Sequence, residues 1–192
     1  MHRLRAISIL FALAPLFAGV AAADEKKPAA SKPAPVSNQP ETTTATFGQW
    51  TLRCVRRADV NNNQKICEID AAVAPQNQPN TVFRIGVAHP LGEDKAQLRI
   101  TVAVPPIVFI PTAPVIKAKP DEPGVPLTWR QCFGGACFAE AVVPPAEIEV
   151  WRAVEADTGR IQFSPMPNRN IAVQFSLRGF AQALDALDKV KP

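Results

Sequence analysis

Side chains that often serve in enzyme active sites are scarce in this sequence. It contains no tyrosine and two histidines, His2 and His89. It also lacks the Gly-x-Ser-x-Gly, His-Glu-x-x-His and phosphate-loop patterns of common enzymes. A Ser-His-Asp or Cys-His site would need His89 together with members from distant segments. The sequence therefore predicts a protein that is not an enzyme, and a hydrolase using two distant carboxylates is the alternative left open.

Long runs of like charge and long apolar runs are also missing. Basic runs stop at two residues, as at Arg56-Arg57, and no pattern of stacking aromatics accompanies them. This argues against nucleic acid as a partner. The full chain has a net charge of +4, but Arg3 and Arg5 fall in an N-terminal segment that we expect to be removed. The mature chain is then only weakly basic.

Residues 1–23 have the three parts of a secretory signal peptide. A basic start is followed by an apolar stretch and by Ala21-Ala22-Ala23 before Asp24. The apolar stretch of about 15 residues is shorter than the roughly 20 that a spanning helix needs, and Pro15 and Gly19 interrupt it. We therefore expect cleavage after Ala23, no transmembrane anchor in the mature chain, and a periplasmic or secreted location.

The next segment, residues 24–46, consists mainly of proline, alanine, lysine, serine and threonine. Val36 is its only sizeable apolar residue before the end of the segment. Such a composition cannot bury enough surface to offset the entropy of ordering, so it predicts a disordered linker. Residues 47–192 then have the length of one domain.

Within this domain apolar residues alternate with polar ones, as in the run from Leu98 to Val104. That period of two is typical of strands with one buried face. We count about nine short strands separated by polar turns, which favours an all-β, two-layer sandwich, with a small barrel as the alternative. Two short helices are predicted, one opening at Pro144-Pro145 and one after Gly179. The proline-rich segment 105–114 is interpreted as an irregular edge strand whose apolar residues are core or an exposed patch.

Four cysteines follow the predicted signal peptide: Cys54, Cys67, Cys132 and Cys137. An even number in an exported chain indicates disulfides. Gly134-Gly135 fits the turn of a hairpin that places Cys132 opposite Cys137, which leaves Cys54 to pair with Cys67 across a polar turn at residues 61–63. No Cys-x-x-Cys spacing occurs, so neither a zinc site nor a redox pair is predicted, and we expect no metal or organic cofactor.

Several ordered blocks of the domain are similar to a known family. The blocks are Phe47-Gly48-Gln49-Trp50-Thr51-Leu52-Arg53-Cys54, Cys67-Glu68-Ile69, Arg130-Gln131-Cys132, Gly135-Ala136-Cys137-Phe138-Ala139-Glu140, Ser176-Leu177-Arg178-Gly179-Phe180 and Ala183-Leu184-Asp185-Ala186-Leu187. They resemble the invasion-associated locus B family over nearly the whole domain. The resemblance implies a secreted or periplasmic protein with an immunoglobulin-like sandwich and no established catalytic residues. Some relatives are linked to host-cell entry.

These observations together predict an exported, monomeric protein that binds a protein or another component of the cell envelope. Its candidate partner contacts are Arg53, Arg56, Arg57 and Arg84, which we expect to point outward near one another if their strands are neighbours. Trp129 and Phe138 fall nearly opposite each other in the predicted hairpin and are assigned to the core. The alternative is a structural envelope component that binds peptidoglycan or an outer-membrane protein.

Overall fold

The computed structural model of the chain describes residues 41–56, 65–75, 82–90 and 97–190. The predicted signal peptide, the predicted linker up to residue 40, Arg57 and the polar turn at residues 61–63 lie outside the described residues.

Within the described residues the chain forms eleven strands and two helices. The larger sheet contains β1 (Thr42–Phe47), β2 (Trp50–Arg56), β3 (Lys65–Val73), β4 (Phe83–Ala88), β5 (Leu98–Val104), β8 (Thr128–Phe133) and β9 (Ala136–Val143). The smaller sheet contains β6 (Val115–Lys117), β7 (Val125–Pro126), β10 (Gly159–Met166) and β11 (Arg169–Phe175). The helices are α1 (Pro145–Arg152) and α2 (Phe180–Lys189).

Both sheets are antiparallel throughout. The larger one has the order β1-β2-β3-β4-β5-β9-β8 and the smaller one β11-β10-β6-β7. The predicted all-β fold with two sheets and two helices is confirmed. Its larger sheet begins as a meander of five consecutive strands, unlike the strand order of immunoglobulin domains.

The core lies on the inner face of the larger sheet, where alternate side chains of β2, β4 and β5 are buried. Two elements of different kinds cover this face. Trp50 of β2 packs edge-on against Phe180 of α2 with ring centroids 5.0 Å apart. Phe83 of β4 contacts Phe163 of β10 at 5.9 Å. The helices therefore cover the half of the sheet near β2, and the smaller sheet covers the half near β4.

Both helices match the sequence prediction. Pro145 occupies the first turn of α1, where the missing amide proton costs no hydrogen bond. The buried side of α2 consists of residues at three- and four-residue spacing: Phe180, Ala183, Leu184 and Leu187. None of the helices in the described part of the chain is long and apolar enough to span a membrane.

Two local predictions were wrong. The last residues of the predicted linker belong to β1, since Thr42–Phe47 pairs with β2 along its whole length. Threonine-rich sequence is compatible with an exposed edge strand, although its composition resembles that of a linker.

The proline-rich segment 105–114 forms no strand. Prolines lack the amide proton that a ladder requires, and only Val108 of its larger aliphatic residues packs against the core.

Candidate functional site

An ion-pair cluster lies on the outer face of the larger sheet, around Asp70 of β3. Arg84 of β4 donates a hydrogen bond from Nη2 to Asp70 Oδ2 at 3.2 Å. On the other side, Arg53 Nε of β2 lies 3.9 Å from Asp70 Oδ1. The Asp70 side chain is only 12% exposed, whereas those of Arg53 and Arg84 are 43% and 53% exposed. One shielded carboxylate thus forms a hydrogen bond with Arg84 and a longer ion pair with Arg53, whose Nε has no hydrogen-bond partner among the described residues.

A groove of about 220 Å³ opens beside this cluster. Its floor is at Gly86, which pairs with Asp70 on one side and with Thr101 of β5 on the other. A Cβ atom at Gly86 would lie 3.6 Å from Glu68 Oε2, so the carboxylate of Glu68 leans over the space left by the missing side chain. The lining residues are Arg53, Glu68, Asp70, Arg84, Ile85, Gly86, Thr101, Ala103 and Phe138.

The environment of Glu68 raises the pKa of its carboxyl group above the ordinary value of 4.5. Burial is the largest cause, and the negative charge of Asp70 adds to it, while Arg53 and Arg84 oppose both effects. The groove therefore offers two guanidinium donors, a carboxylate acceptor and the aromatic ring of Phe138. This combination suits recognition of a polar partner surface and includes no activated nucleophile.

The structure brings two of the four predicted contact arginines together. Arg53 and Arg84 are not on neighbouring strands, but both reach Asp70 of the strand between them. Grouping Arg56 with them was wrong. It lies three positions from Arg53 on the same strand, and successive side chains of a strand point to opposite faces. Arg57 lies outside the described residues.

Sequence reasoning missed the other members of the groove, chiefly Glu68, Asp70 and Gly86. The outward direction of Glu68 and Asp70 was visible in the sequence, since both alternate with the apolar residues of β3.

The assignment of Phe138 to the core was also wrong. Its neighbours Cys137 and Ala139 on β9 are buried, so the alternation of that strand places Phe138 on the opposite face, which lines the groove. The irregularity in the β8–β9 pairing between Trp129 and Gln131 instead brings Trp129 opposite the buried Ala139. Trp129 packs against the core, as predicted.

The two predicted disulfides are both present. Cys54 and Cys67 are directly opposite on β2 and β3, and Cys132 and Cys137 are opposite on β8 and β9. In each pair the Cα atoms are 4.0 Å apart. No free cysteine remains in the chain.

His89 is held by hydrogen bonds at the end of β4. Its Nδ1 lies 3.2 Å from the Gln97 carbonyl oxygen and its Nε2 lies 3.1 Å from Asp188 Oδ1. Asp188 also binds Arg152 of α1. Among the described residues, no serine or threonine hydroxyl is hydrogen-bonded to this ring, and no group of side chains has the composition of a metal site. His89 therefore joins α2 to the larger sheet.

Two of the blocks that carry the family resemblance, residues 47–54 and 176–180, meet at a junction next to the buried side chain of Trp50. The Gln49 amide donates to the Arg178 carbonyl at 3.1 Å, and Trp50 Nε1 donates to the Ser176 carbonyl at 3.0 Å. A Cβ atom on Gly179 would overlap the carbonyl oxygen of Phe47. Gly179 also has a φ of 86°, which L side chains rarely adopt. We call this contact of residues 47–50 with residues 176–180 the glycine junction.

Residues 50–188 match the family described as "Invasion associated locus B (IalB) protein". The chain belongs to the invasion associated locus B family. The glycine junction fixes how the start of β2 packs against the start of α2, and the disulfide hairpin fixes the pairing of β8 with β9. These contacts are made by residues of the sequence blocks that resemble the family. No curated protein shows significant similarity to this member.

Among solved structures, the chain is similar to the crystal structure of invasion associated protein b from Bartonella henselae. The two are 17% identical in sequence and superpose with a TM-score of 0.61. The alignment covers 76% of this chain and 94% of the other. At this level of identity the likeness establishes a shared fold.

Proposed function

We propose that this family member is an exported, non-enzymatic binding protein that acts in the periplasm or outside the cell. In this proposal it recognises a protein of the cell envelope through the outer-face groove. Two disulfides support export, since such bonds persist in oxidising compartments. Family membership supports a role at the cell envelope, and a role in host-cell interaction is a further possibility that the family name suggests.

The observation that carries the binding proposal is the arrangement of Arg53 and Arg84 around Asp70. Arginine is enriched among residues that dominate binding energies, because its planar group forms several directed hydrogen bonds and stacks on apolar surfaces. Here the Asp70 carboxylate orients the Arg84 guanidinium group by a hydrogen bond before a partner arrives, so less conformational entropy is lost on binding. It attracts the charge of Arg53 over a longer distance, without a hydrogen bond. The Phe138 ring supplies an apolar wall beside them.

The experiment is site-specific photo-cross-linking in intact cells of the native host. A photoreactive residue replaces Thr101 in the groove of the full-length chain, and a matched variant carries it at exposed Lys119, remote from the groove. We expect one defined envelope protein to be captured from position 101 and not from position 119. Equal capture from both positions would contradict the proposal.

Two further variants test whether capture depends on an arginine in the groove or on any exposed arginine. Arg84→Ala should reduce capture from position 101, because it removes the guanidinium group that Asp70 orients. Arg178→Ala is the matched control, since Arg178 forms an exposed ion pair with Asp157 away from the groove. Capture of a peptidoglycan fragment would favour the structural alternative. Turnover of a defined substrate by the purified mature chain would restore the hydrolase hypothesis.

A further inference from the structure

Four of the six exposed large hydrophobic side chains in the described residues belong to three segments that meet at one corner of the domain. They are Ile107, Ile110, Phe133 and Met166, and each is 48% to 63% exposed. We define the apolar corner as residues 105–112, 132–137 and 164–170. We propose that this corner docks on the surface of an anionic lipid bilayer. The proposal does not depend on which partner the groove binds, although Phe133 of the corner stacks on Phe138 of the groove.

Backbone contacts bring the three segments together. Val104 pairs with Cys137, so the proline-rich segment leaves β5 beside the β8–β9 hairpin. The Phe109 amide donates to the Ser164 carbonyl at 2.6 Å, which joins that segment to the end of β10. The hydrogen bond is a direct contact between two of the segments, and the strand pairing places the start of the proline-rich segment next to the hairpin.

The segments of the corner are also stiff. The Cys132–Cys137 disulfide closes the base of the hairpin, and Phe133 stacks on Phe138 with ring centroids 4.8 Å apart. Five prolines restrict the other two segments: Pro105, Pro106, Pro111, Pro165 and Pro167. Exposed apolar side chains on a restricted backbone lose little conformational entropy when they enter an apolar phase. Isolated exposed hydrophobic residues are normal, but several on one rigid corner indicate an interaction site.

The charges of the corner select a lipid surface as the occupant. Residues 104–116, 131–138 and 163–173 contain no aspartate or glutamate. Arg169 is exposed there and forms no ion pair within the described residues. Lipid surfaces that contain anionic headgroups repel carboxylates and attract arginine, while apolar side chains enter the boundary below the headgroups. A protein partner or a second copy would not require that one sign of charge be excluded.

Vesicle co-sedimentation of the purified mature chain tests the proposal. The probes are vesicles of phosphatidylcholine alone and of phosphatidylcholine mixed with phosphatidylglycerol. We expect sedimentation with the mixed vesicles and much less with phosphatidylcholine alone, and we expect added salt to weaken the binding. Absence of sedimentation with the mixed vesicles at low salt would overturn the proposal.

Variants locate the binding surface. The double variant Ile107→Ser/Ile110→Ser should bind mixed vesicles about tenfold more weakly, since it removes two apolar side chains from the lipid boundary. Arg169→Gln should make binding to the mixed vesicles less sensitive to added salt, because it removes a positive charge from the corner. Val142→Ser is the matched control, because Val142 is 45% exposed but lies on β9 outside the corner. Equal losses for Val142→Ser and the isoleucine variant would overturn the proposal.

Two measurements keep these results interpretable. Melting curves should show that the variants stay folded, since the replaced side chains are exposed. Size-exclusion chromatography tests the competing occupant. If the wild-type chain elutes as a dimer and the isoleucine variant as a monomer, the corner is a self-association surface and the lipid proposal is wrong. A monomeric wild type that still binds the mixed vesicles supports the proposal.

Discussion

The glycine junction and the outer-face groove lie on opposite faces of strand β2 and differ in their tolerance of substitution. In the junction, Gly179 lies against the Phe47 backbone, and Trp50 is fully buried. In the groove, Arg53 and Arg84 are about half exposed, and a Cβ atom on Gly86 would make only ordinary contacts. The junction therefore determines folding, whereas the groove is free to contact a partner. The sequence blocks that resemble the family contribute to both, since Arg53, Glu68 and Phe138 of the groove also belong to them.

The largest expected effect is at the junction. Gly179→Ala should lower the free energy of unfolding by about 4 kcal/mol, because its Cβ would overlap the Phe47 carbonyl and its φ is unfavourable for alanine. Gly134→Ala is the matched control. It also has a positive φ, of 59°, but a Cβ there meets nothing within 4 Å, so a loss of about 1 kcal/mol is expected. Unfolding both variants in guanidinium chloride measures the difference. Equal losses would show that the close approach of Gly179 to the Phe47 carbonyl does not cause the larger effect.

A smaller effect is expected from the disulfides. Replacing Cys54 and Cys67 by alanine should cost about 3 kcal/mol and replacing Cys132 and Cys137 about 2 kcal/mol, since the closed loops differ in length. The sequence separations are 13 and 5 residues. Chemical unfolding of the two double variants gives the ranking, and the reverse order would show that loop closure does not dominate. Intact-mass analysis of native protein should show no free thiols.

In the groove, Arg84→Ala should lower the free energy of unfolding by about 1 kcal/mol, because the exposed Arg84 leaves behind an Asp70 carboxylate that is only 12% exposed and has lost its hydrogen-bond donor. Partner capture should nevertheless fall strongly. Arg178→Ala removes an exposed ion pair elsewhere and keeps the backbone carbonyl that accepts from Gln49 in the glycine junction, so it should have a smaller effect on stability and leave capture unchanged. A large loss of stability in Arg84→Ala would mean that the cluster is structural.

The smallest expected effect concerns Glu68. Its pKa is raised in the folded chain, so the unfolded chain loses the proton first as pH rises through 4.5, and ionisation of Glu68 then lowers the stability of the fold. Glu68→Gln should therefore be slightly more stable than the wild type at pH 7. The difference should vanish below pH 4.5, where both states of the wild type are protonated. Melting temperatures at several pH values test this, and an advantage that persists in acid would contradict it.

Predictions from the sequence succeeded where the relevant contacts are local. The alternation of apolar and polar residues in β5 correctly predicted which face of the strand is buried. The three- and four-residue spacing of apolar residues in α2 correctly predicted the buried side of the helix. The hairpin turn gave the Cys132–Cys137 pair. The position of Phe138 was wrong because the prediction put Trp129 and Phe138 on one face, whereas a one-residue irregularity in β8 turns Trp129 to the core and Phe138 stays on the outer face of its own strand. Such an irregularity carries little signal in composition or period.

The sequence alone determines which face of a strand and which side of a helix is buried, and which cysteines pair. Each of these depends on residues separated by a few positions or by one turn. Strand order was decided only in the tertiary structure, where Arg53 and Arg84 meet across β3. The approach of Gly179 to Phe47 joins segments far apart in sequence. So does the meeting of three segments at the apolar corner. Such contacts depend on how the two sheets and the helices pack, and the periodicity of a single segment carries no information about its distant neighbours.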